Sequence, residues 1–201
     1  MNIYIMRHGE TDWNKLLKIQ GSTDIPLNQE GIELAERVSY SLHNEGISFD
    51  KVYSSPLVRA KETAIIINKY SNAPIVFDER LREFCFGKAE GVTLDELNKN
   101  PKYLNIRNWF FKPENYKAEF GAETYESFFS RIDSFIDDLK NETCKNILIV
   151  CHGGLVRGFI KEVSDLPIDK IASIKIHNCA VNLIKYENGK FFVEYIAKSF
   201  A

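Results

Sequence analysis

Short, strongly apolar segments alternate along this chain with longer segments whose apolar residues recur at helical spacing. The most apolar segment, Asn146–Cys151, contains a continuous aliphatic run, which is typical of a strand covered on both faces. Residues 2–6 and Lys51–Ser54 predict two further strands. Such alternation is typical of an α/β fold with a largely parallel sheet. We therefore predict a three-layer sandwich, with a mostly parallel central sheet, helices on both faces and a small inserted flap.

Three apolar stripes predict amphipathic helices between and after these strands. The first runs through residues 32–42 and follows Asn28, a side chain suited to cap a helix. The second runs through residues 57–67, and Ser55-Pro56 before it predicts a cap followed by the first helical residue. The third covers residues 125–139. Near the end of the chain, residues 180–186 and 191–196 flank Asn188-Gly189, which predicts a hairpin with a tight turn.

The length of 201 residues suits one domain with a core large enough to be stable by itself. Residues 88–123 interrupt the regular alternation, because they are aromatic and basic but poorly periodic. Pro101 and Pro113 within them favour short helices. We therefore expect a single domain spanning residues 1–201, with residues 88–123 as a flap inserted into the sheet fold.

Composition and charge argue against several classes of partner. The formal net charge of −2 does not favour nucleic acid or an anionic membrane, so an anion would have to bind at a local basic site. No apolar run approaches the roughly 20 residues of a membrane span, and the N-terminal segment lacks the pattern of a signal peptide. The sequence makes no prediction about oligomeric state. The four cysteines show no CxxC spacing, which predicts free thiols and a cytoplasmic protein.

Three predicted strands run directly into polar residues: Arg7-His8-Gly9, Ser54-Ser55-Pro56 and His152-Gly153-Gly154. Open α/β sheets bind ligands in the crevice beyond the carboxyl ends of their strands. We therefore expect both histidines to meet in one crevice. Arg59 should join them, because it lies in the first turn of the helix that follows the second strand. The glycines after each histidine would let the backbone approach a ligand closely.

This set of side chains points to phosphate chemistry. Guanidinium groups such as those of Arg7 and Arg59 match the oxygen atoms of phosphate, and imidazole can attack phosphorus and carry it covalently. Clustered cations stabilise the charge that spreads over the phosphoryl oxygens during transfer. Glu83 can supply the proton that the leaving group needs.

The segment from Met6 to Asn14 resembles the Arg-His-Gly signature of the histidine phosphatase superfamily, also called phosphoglycerate-mutase-like. Four further blocks follow in family order: Gln20-Gly21 with Asp24-Ile25-Pro26-Leu27, Ser54-Ser55-Pro56 with Arg59-Ala60 and Glu62-Thr63-Ala64, Glu83 with Phe86-Gly87 and Glu90-Gly91, and Cys151-His152-Gly153-Gly154. The resemblance spans nearly the whole chain. Within the family the chain looks most like the small bacterial phosphatases, which include an enzyme acting on ribazole phosphate and members of broad specificity.

The resemblance implies a role for each matching residue. His8 would be the phosphorylated nucleophile, with Arg7, Arg59 and His152 binding the phosphate. Glu83 would donate a proton to the leaving group and then activate water. The positions that contact or admit the substrate would be Asn14, Gly21, Thr23 and Gly153. The implied substrate is a small phosphomonoester, and the pattern calls for no metal and no cofactor.

Four other functions are compatible with parts of the sequence. A cofactor-dependent phosphoglycerate mutase would share the His8 chemistry, but Phe86 offers no hydroxyl and the inserted segment has no pair of adjacent arginines. A catalytically inactive phospholigand-binding module would not need the complete residue set. A serine hydrolase using Ser54 or Ser55 lacks a Gly-x-Ser-x-Gly motif. A zinc site of His8, His152 and Cys151 is disfavoured, because adjacent strand residues point to opposite faces.

Overall fold

The computed structural model describes residues 1–201 and confirms the α/β fold. Six strands form one sheet: β1 (Asn2–Arg7), β2 (Lys51–Ser54), β3 (Ile75–Phe77), β4 (Asn146–Cys151), β5 (Val181–Glu187) and β6 (Lys190–Lys198). Seven α-helices accompany it: α1 (Asp12–Lys15), α2 (Gln29–Asn44), α3 (Val58–Ile67), α4 (Leu94–Lys99), α5 (Leu104–Phe111), α6 (Tyr125–Leu139) and α7 (Gly153–Ser164).

The sheet is mostly parallel, as predicted. Its strand order is β3-β2-β4-β1-β5-β6, and the first four strands in this order run parallel to one another. The predicted C-terminal hairpin supplies β5 and β6, and β5 pairs antiparallel with β1. Asn188 and Gly189 have φ values of 51° and 77°, the left-handed conformation that a two-residue hairpin turn requires.

Helices cover both faces of the sheet because side chains on the central strands alternate between them. Ile3 and Ile5 pack into a core with residues of α6 and α7, whereas Tyr4 and Met6 pack into a second core with residues of α2 and α3. No helix is long and apolar enough to cross a membrane.

The helix starts agree with the sequence in one case and differ in another. Asn28 caps α2, as predicted, by accepting a hydrogen bond from the backbone N–H of Gly31 at 2.8 Å. The prediction that Ser55-Pro56 caps and opens the next helix is wrong: α3 begins at Val58 with Leu57 as its N-cap residue. The Ser55 hydroxyl oxygen lies 2.8 Å from Nε2 of His152. This side chain therefore contacts a distant histidine and does not cap the helix. Strand β3, three residues at the sheet edge, was too short to predict.

Residues 88–123 leave the sheet fold and return to it at nearly the same place. The backbone N–H of Lys88 donates to the carbonyl oxygen of Phe120 at 3.0 Å, and that of Glu123 donates to Cys85 at 2.8 Å. Between these paired ends lie the short helices α4 and α5. The segment covers the crevice, since Leu94 of α4 and Trp109 of α5 line it.

Candidate active site

The two histidines lie together because of the register between β1 and β4. Arg7 is directly opposite Cys151, and His8 and His152 follow at the same end of the sheet. The backbone N–H of His8 donates to the carbonyl oxygen of Cys151 at 2.9 Å, and the two imidazole ring centroids are 5.2 Å apart. A cavity of about 340 Å³ opens beside them. Seven of the predicted site residues line it: Arg7, His8, Asn14, Gly21, Arg59, Glu83 and Gly153.

The geometry of His8 suits a nucleophile. Its Nδ1 lies 2.6 Å from the carbonyl oxygen of Gly9. A carbonyl oxygen only accepts, so we assign the ring proton to Nδ1, which leaves a lone pair on Nε2. Burial lowers the pKa of His8 well below its usual value, and the guanidinium groups of Arg59 and Arg7 lower it further. The free protein therefore holds His8 as a neutral imidazole.

His152 is fully buried and is oriented by Ser55. The hydroxyl oxygen of Ser55 lies 2.8 Å from Nε2, while Nδ1 is buried without a hydrogen-bond partner in the protein. Burial and the neighbouring Arg59 hold the pKa of His152 well below its usual value. The orienting role of Ser55 was not predicted, because the sequence shows only that this serine follows a strand.

Both predicted arginines keep one buried nitrogen atom without a partner. Arg7 donates from Nη1 to the carbonyl oxygen of Ile176 at 3.1 Å, and its Nε has no hydrogen-bond partner. Arg59 donates from Nη1 to Thr23 at 2.8 Å and from Nη2 to Gly21 at 2.7 Å, and its Nε is also without a partner. The fork of Arg59 therefore holds the loop around residue 22, and only its remaining edge is free for a ligand.

Glu83 reaches the cavity between the flap and α7. Its Oε1 accepts from the backbone N–H of Phe84 at 2.9 Å, and its Oε2 accepts from that of Gly154 at 3.0 Å. Two other carboxylates lie close to Glu83 in the sequence, but neither lines the cavity. Glu79 is exposed in an ion pair with Arg82, and Glu90 accepts hydrogen bonds from the backbone of residues 22, 23 and 86.

Arg131 of α6 holds the segment that carries Glu83. Its Nη1 donates to the carbonyl oxygens of Arg80 at 2.6 Å and Arg82 at 2.7 Å, and its Nη2 donates to that of Glu83 at 3.3 Å. The same guanidinium forms a largely buried ion pair with Glu123 at 2.9 Å. One arginine thus joins α6, the end of the flap and the loop of the carboxylate.

Thr23 differs from its predicted place, since it does not line the cavity. Its hydroxyl is bound to Glu90 at 2.5 Å, and its carbonyl oxygen accepts from Arg59. Asn14 does line the cavity, where its Oδ1 accepts from the backbone N–H of Thr11 at 3.1 Å.

Asn178 also lines the cavity and was not predicted from the sequence. Its Nδ2 donates to the carbonyl oxygens of His8 at 2.9 Å and Gly9 at 3.0 Å, and so supports the nucleophile.

The sequence also missed most of the cavity wall. Its apolar part consists of Trp13, Leu17, Ile19, Phe86, Leu94, Trp109 and Phe110, and its further cations are Lys18 and Arg157. Arg157 could have been found, because it lies one helical turn after Gly153 and so on the same face of α7. The flap residues give no such signal, since their place over the cavity depends on how the segment folds back.

Two alternatives from the sequence fit this geometry poorly. Ser54 and Ser55 are fully buried, and their hydroxyl groups are engaged by the carbonyl oxygen of Ser55 and by the ring of His152, respectively. His152 itself does not line the cavity; it lies directly behind His8, with its free Nδ1 as its remaining polar atom. No group of three or more His, Cys, Asp and Glu side chains is arranged to hold a metal ion. Cys151 belongs to the hydrophobic core, and Cys85, half-buried, lies outside the cavity.

Comparison with known proteins places this chain in a family. The sequence pattern of the histidine phosphatase superfamily, branch 1, matches residues 3–198. The phosphatase PhoE of Bacillus subtilis is 33% identical, over 96% of this chain and 92% of that protein. A phosphoserine phosphatase of Entamoeba histolytica, solved as a mutant in complex with phosphoserine, superposes with a TM-score of 0.82 at 27% identity, covering 98% and 97% of the two chains. The alpha-ribazole phosphatase of Shigella flexneri superposes with a TM-score of 0.85 at 25% identity, covering 99% and 97%.

Proposed function

The chain belongs to branch 1 of the histidine phosphatase superfamily, and we propose that it hydrolyses small phosphomonoesters through a phosphohistidine on His8. One observation carries the residue assignment. Arg7 Nε, Arg59 Nε and His152 Nδ1 are buried nitrogen atoms without hydrogen-bond partners, and all three belong to residues around His8. Buried donors without partners are costly and rare in folded proteins. We assign the ring proton of His152 to Nδ1, with the Ser55 hydroxyl donating to Nε2, so that a phosphoryl group in front of His8 would give all three nitrogen atoms an acceptor.

The first half-reaction is attack on phosphorus. The lone pair on His8 Nε2 forms a bond to phosphorus while the bond from phosphorus to the ester oxygen breaks. Arg7, Arg59 and His152 stabilise the charge on the three other phosphoryl oxygens. Glu83, entering as the carboxylic acid, gives its proton to the departing oxygen, so the product leaves as an alcohol.

The second half-reaction returns the enzyme to its starting state. Glu83 is now a carboxylate and accepts a proton from a water molecule as that water attacks phosphorus. The bond between phosphorus and Nε2 breaks, and inorganic phosphate is released. The guanidinium groups supply the positive charge that a metal ion supplies in other phosphatases, so this scheme needs neither a metal nor a cofactor.

The cavity supports a small substrate of the kind that the relatives act on. A volume of about 340 Å³ lies at the low end of small-molecule sites. We propose that the substrate is a small phosphorylated metabolite, with ribazole phosphate or a broad range of esters as candidates. We also propose a single domain in which residues 88–123 act as the flap over the cavity. Four free cysteines, two of them buried, support a location in the reducing cytoplasm.

Trapping the intermediate tests this proposal. Brief reaction with a ³²P-labelled phosphomonoester should leave an acid-labile, base-stable label on His8, and His8→Ala should neither be labelled nor turn over. Label on a serine, or near-native turnover by His8→Ala, would overturn the assignment. A coupled enolase assay beside phosphate release separates hydrolysis from mutase activity. We expect release of phosphate and little isomerisation of 3-phosphoglycerate, even with bisphosphoglycerate present.

A further inference from the structure

The cavity contains a third arginine for which the proposed reaction has no use. Arg157 of α7 is half-buried and lines both the main cavity and a smaller adjacent one of about 50 Å³. Its Nε donates to the carbonyl oxygen of Ile174 at 2.8 Å, which fixes the plane of the guanidinium group. A methyl group placed on Gly153 would lie 3.9 Å from Arg157 Nη1 and 3.6 Å from Arg7 Nε. Both arginines therefore border the same space in front of α7.

No carboxylate of the protein pairs with this guanidinium. Arg157 makes no salt bridge, whereas Arg131 of α6 and Lys161, one turn further along α7, pair with Glu123 and Glu162. Burial lowers the pKa of Arg157, and only the more distant charge of Glu83 opposes this. Both oxygen atoms of Glu83 are already held by backbone N–H groups of Phe84 and Gly154. A half-buried cation without a partner is unfavourable, and an anion entering the cavity would offset that cost.

Counting charges indicates which part of a ligand Arg157 would meet. The cavity wall carries four cations, Arg7, Lys18, Arg59 and Arg157, against the carboxylate of Glu10, since Glu83 enters the proposed reaction protonated. A phosphoryl dianion in front of His8 would take up Arg7 and Arg59. Gly154, whose backbone N–H holds Glu83, lies three residues before Arg157 and so on the same face of α7, which places Arg157 on the side of the cavity where the leaving group departs. Arg157 is thus left for a second negative charge on the alcohol portion of the substrate.

We propose that Arg157 binds a carboxylate on the leaving group, so that the preferred substrates are phosphomonoesters of small hydroxy acids. With Nε used, a guanidinium offers one edge of two N–H groups, which matches a single carboxylate. Trp109 and Phe110 line both cavities beside Arg157 and would flank the short carbon chain between the two anionic groups. This inference depends on the proposed phosphatase activity.

Two substrates that differ only in the carboxylate provide the test. O-phosphoserine and O-phosphoethanolamine share the phosphoryl group, the ester carbon and the amine, and only the first carries a carboxylate. Wild type should have the larger kcat/KM for phosphoserine, and Arg157→Met should reduce that preference by about ten- to a hundredfold, the range expected for charge-assisted hydrogen bonds. Arg157→Lys keeps a cation and should retain part of the preference. Arg37→Met, on the exposed surface of α2, is the matched control and should leave it unchanged.

Other results would reject the inference. If Arg157 acted only by positioning Glu83, Arg157→Met would lower kcat equally for both substrates. An unchanged ratio of kcat/KM, or a wild-type preference for phosphoethanolamine, would exclude a carboxylate subsite. Dissociation constants measured by calorimetry in the His8→Ala background test binding without turnover. In that background phosphoserine should bind more tightly than phosphoethanolamine, and Arg157→Met should remove the difference. Loss of the labelled intermediate on His8 would instead refute the phosphatase mechanism itself.

Discussion

Replacing Gly154 by alanine should displace the general acid while leaving His8 and the two phosphate-binding arginines in place. Gly154 is the second residue of α7, and a Cβ atom there would lie 2.5 Å from Glu83 Oε1 and 2.8 Å from the ring of Trp109. Ordinary contact begins at 3.4 Å, so the carboxylate would have to retreat by about 0.9 Å. A misplacement of about 1 Å in a reacting group can cost on the order of a hundredfold in rate, or about 2.7 kcal/mol.

The loss should depend on the leaving group. An alkyl phosphate needs protonation of the departing oxygen, and its kcat should fall about a hundredfold in Gly154→Ala. p-Nitrophenyl phosphate releases a stable phenolate and should lose much less. Steady-state kinetics with both substrates measures the difference. Thermal unfolding should show that the variant is folded, because alanine has the higher helix propensity by about 1 kcal/mol and partly offsets the contact with Trp109.

A double-mutant cycle with Glu83→Gln isolates the cause. If Gly154→Ala acts through Glu83, it should cost little further activity once the carboxyl group is gone, so the two effects would not add. Additive losses would mean that alanine disturbs the phosphate site or the flap instead. Full activity of Gly154→Ala on alkyl phosphates would refute the reasoning, because it would show that the acid does not depend on its observed position.

Three further changes have defined outcomes. Arg59→Lys should lower kcat/KM at least tenfold, because the single nitrogen atom of an ammonium group cannot reproduce contacts that a planar guanidinium spreads over three nitrogen atoms, two toward loop carbonyls and one toward phosphate. Near-native kinetics would remove Arg59 from the site. Arg131→Met should lower the free energy of unfolding in urea by about 3 kcal/mol, because it leaves the largely buried carboxylate of Glu123 unpaired. Because Arg131 also holds the backbone of Glu83, the variant should lower kcat more for alkyl phosphates than for aryl phosphates. A loss of unfolding free energy below about 1 kcal/mol would contradict this. Below pH 6.5 the unfolded chain binds protons on His8 and His152 that the folded protein does not, since both pKa values are lowered on folding. The melting temperature should therefore fall from pH 7 toward pH 5, and His8→Ala should reduce the slope.

The amino-acid sequence by itself determined the α/β class, the strands β1, β2 and β4, and the convergence of His8 with His152. These features were predictable because they depend on local pattern. Apolar runs and helical stripes reflect burial along one element, and parallel strands bring their carboxyl ends to one edge. The register of Arg7 with Cys151 then leaves the two histidines side by side.

Only the tertiary structure decided how the side chains around His8 share their hydrogen bonds. Arg59 was expected to present its fork to phosphate, but two of its nitrogen atoms hold carbonyl oxygens 36 and 38 residues away in the chain. Ser55 leaves its predicted cap position for His152, 97 residues further on. Arg157 meets the cavity because the carbonyl oxygen of Ile174 anchors it, and Trp109 and Phe110 fold back to line the same space. Each of these contacts depends on how segments that are distant in sequence pack together, and the periodicity of a single segment contains no information about its packing partners.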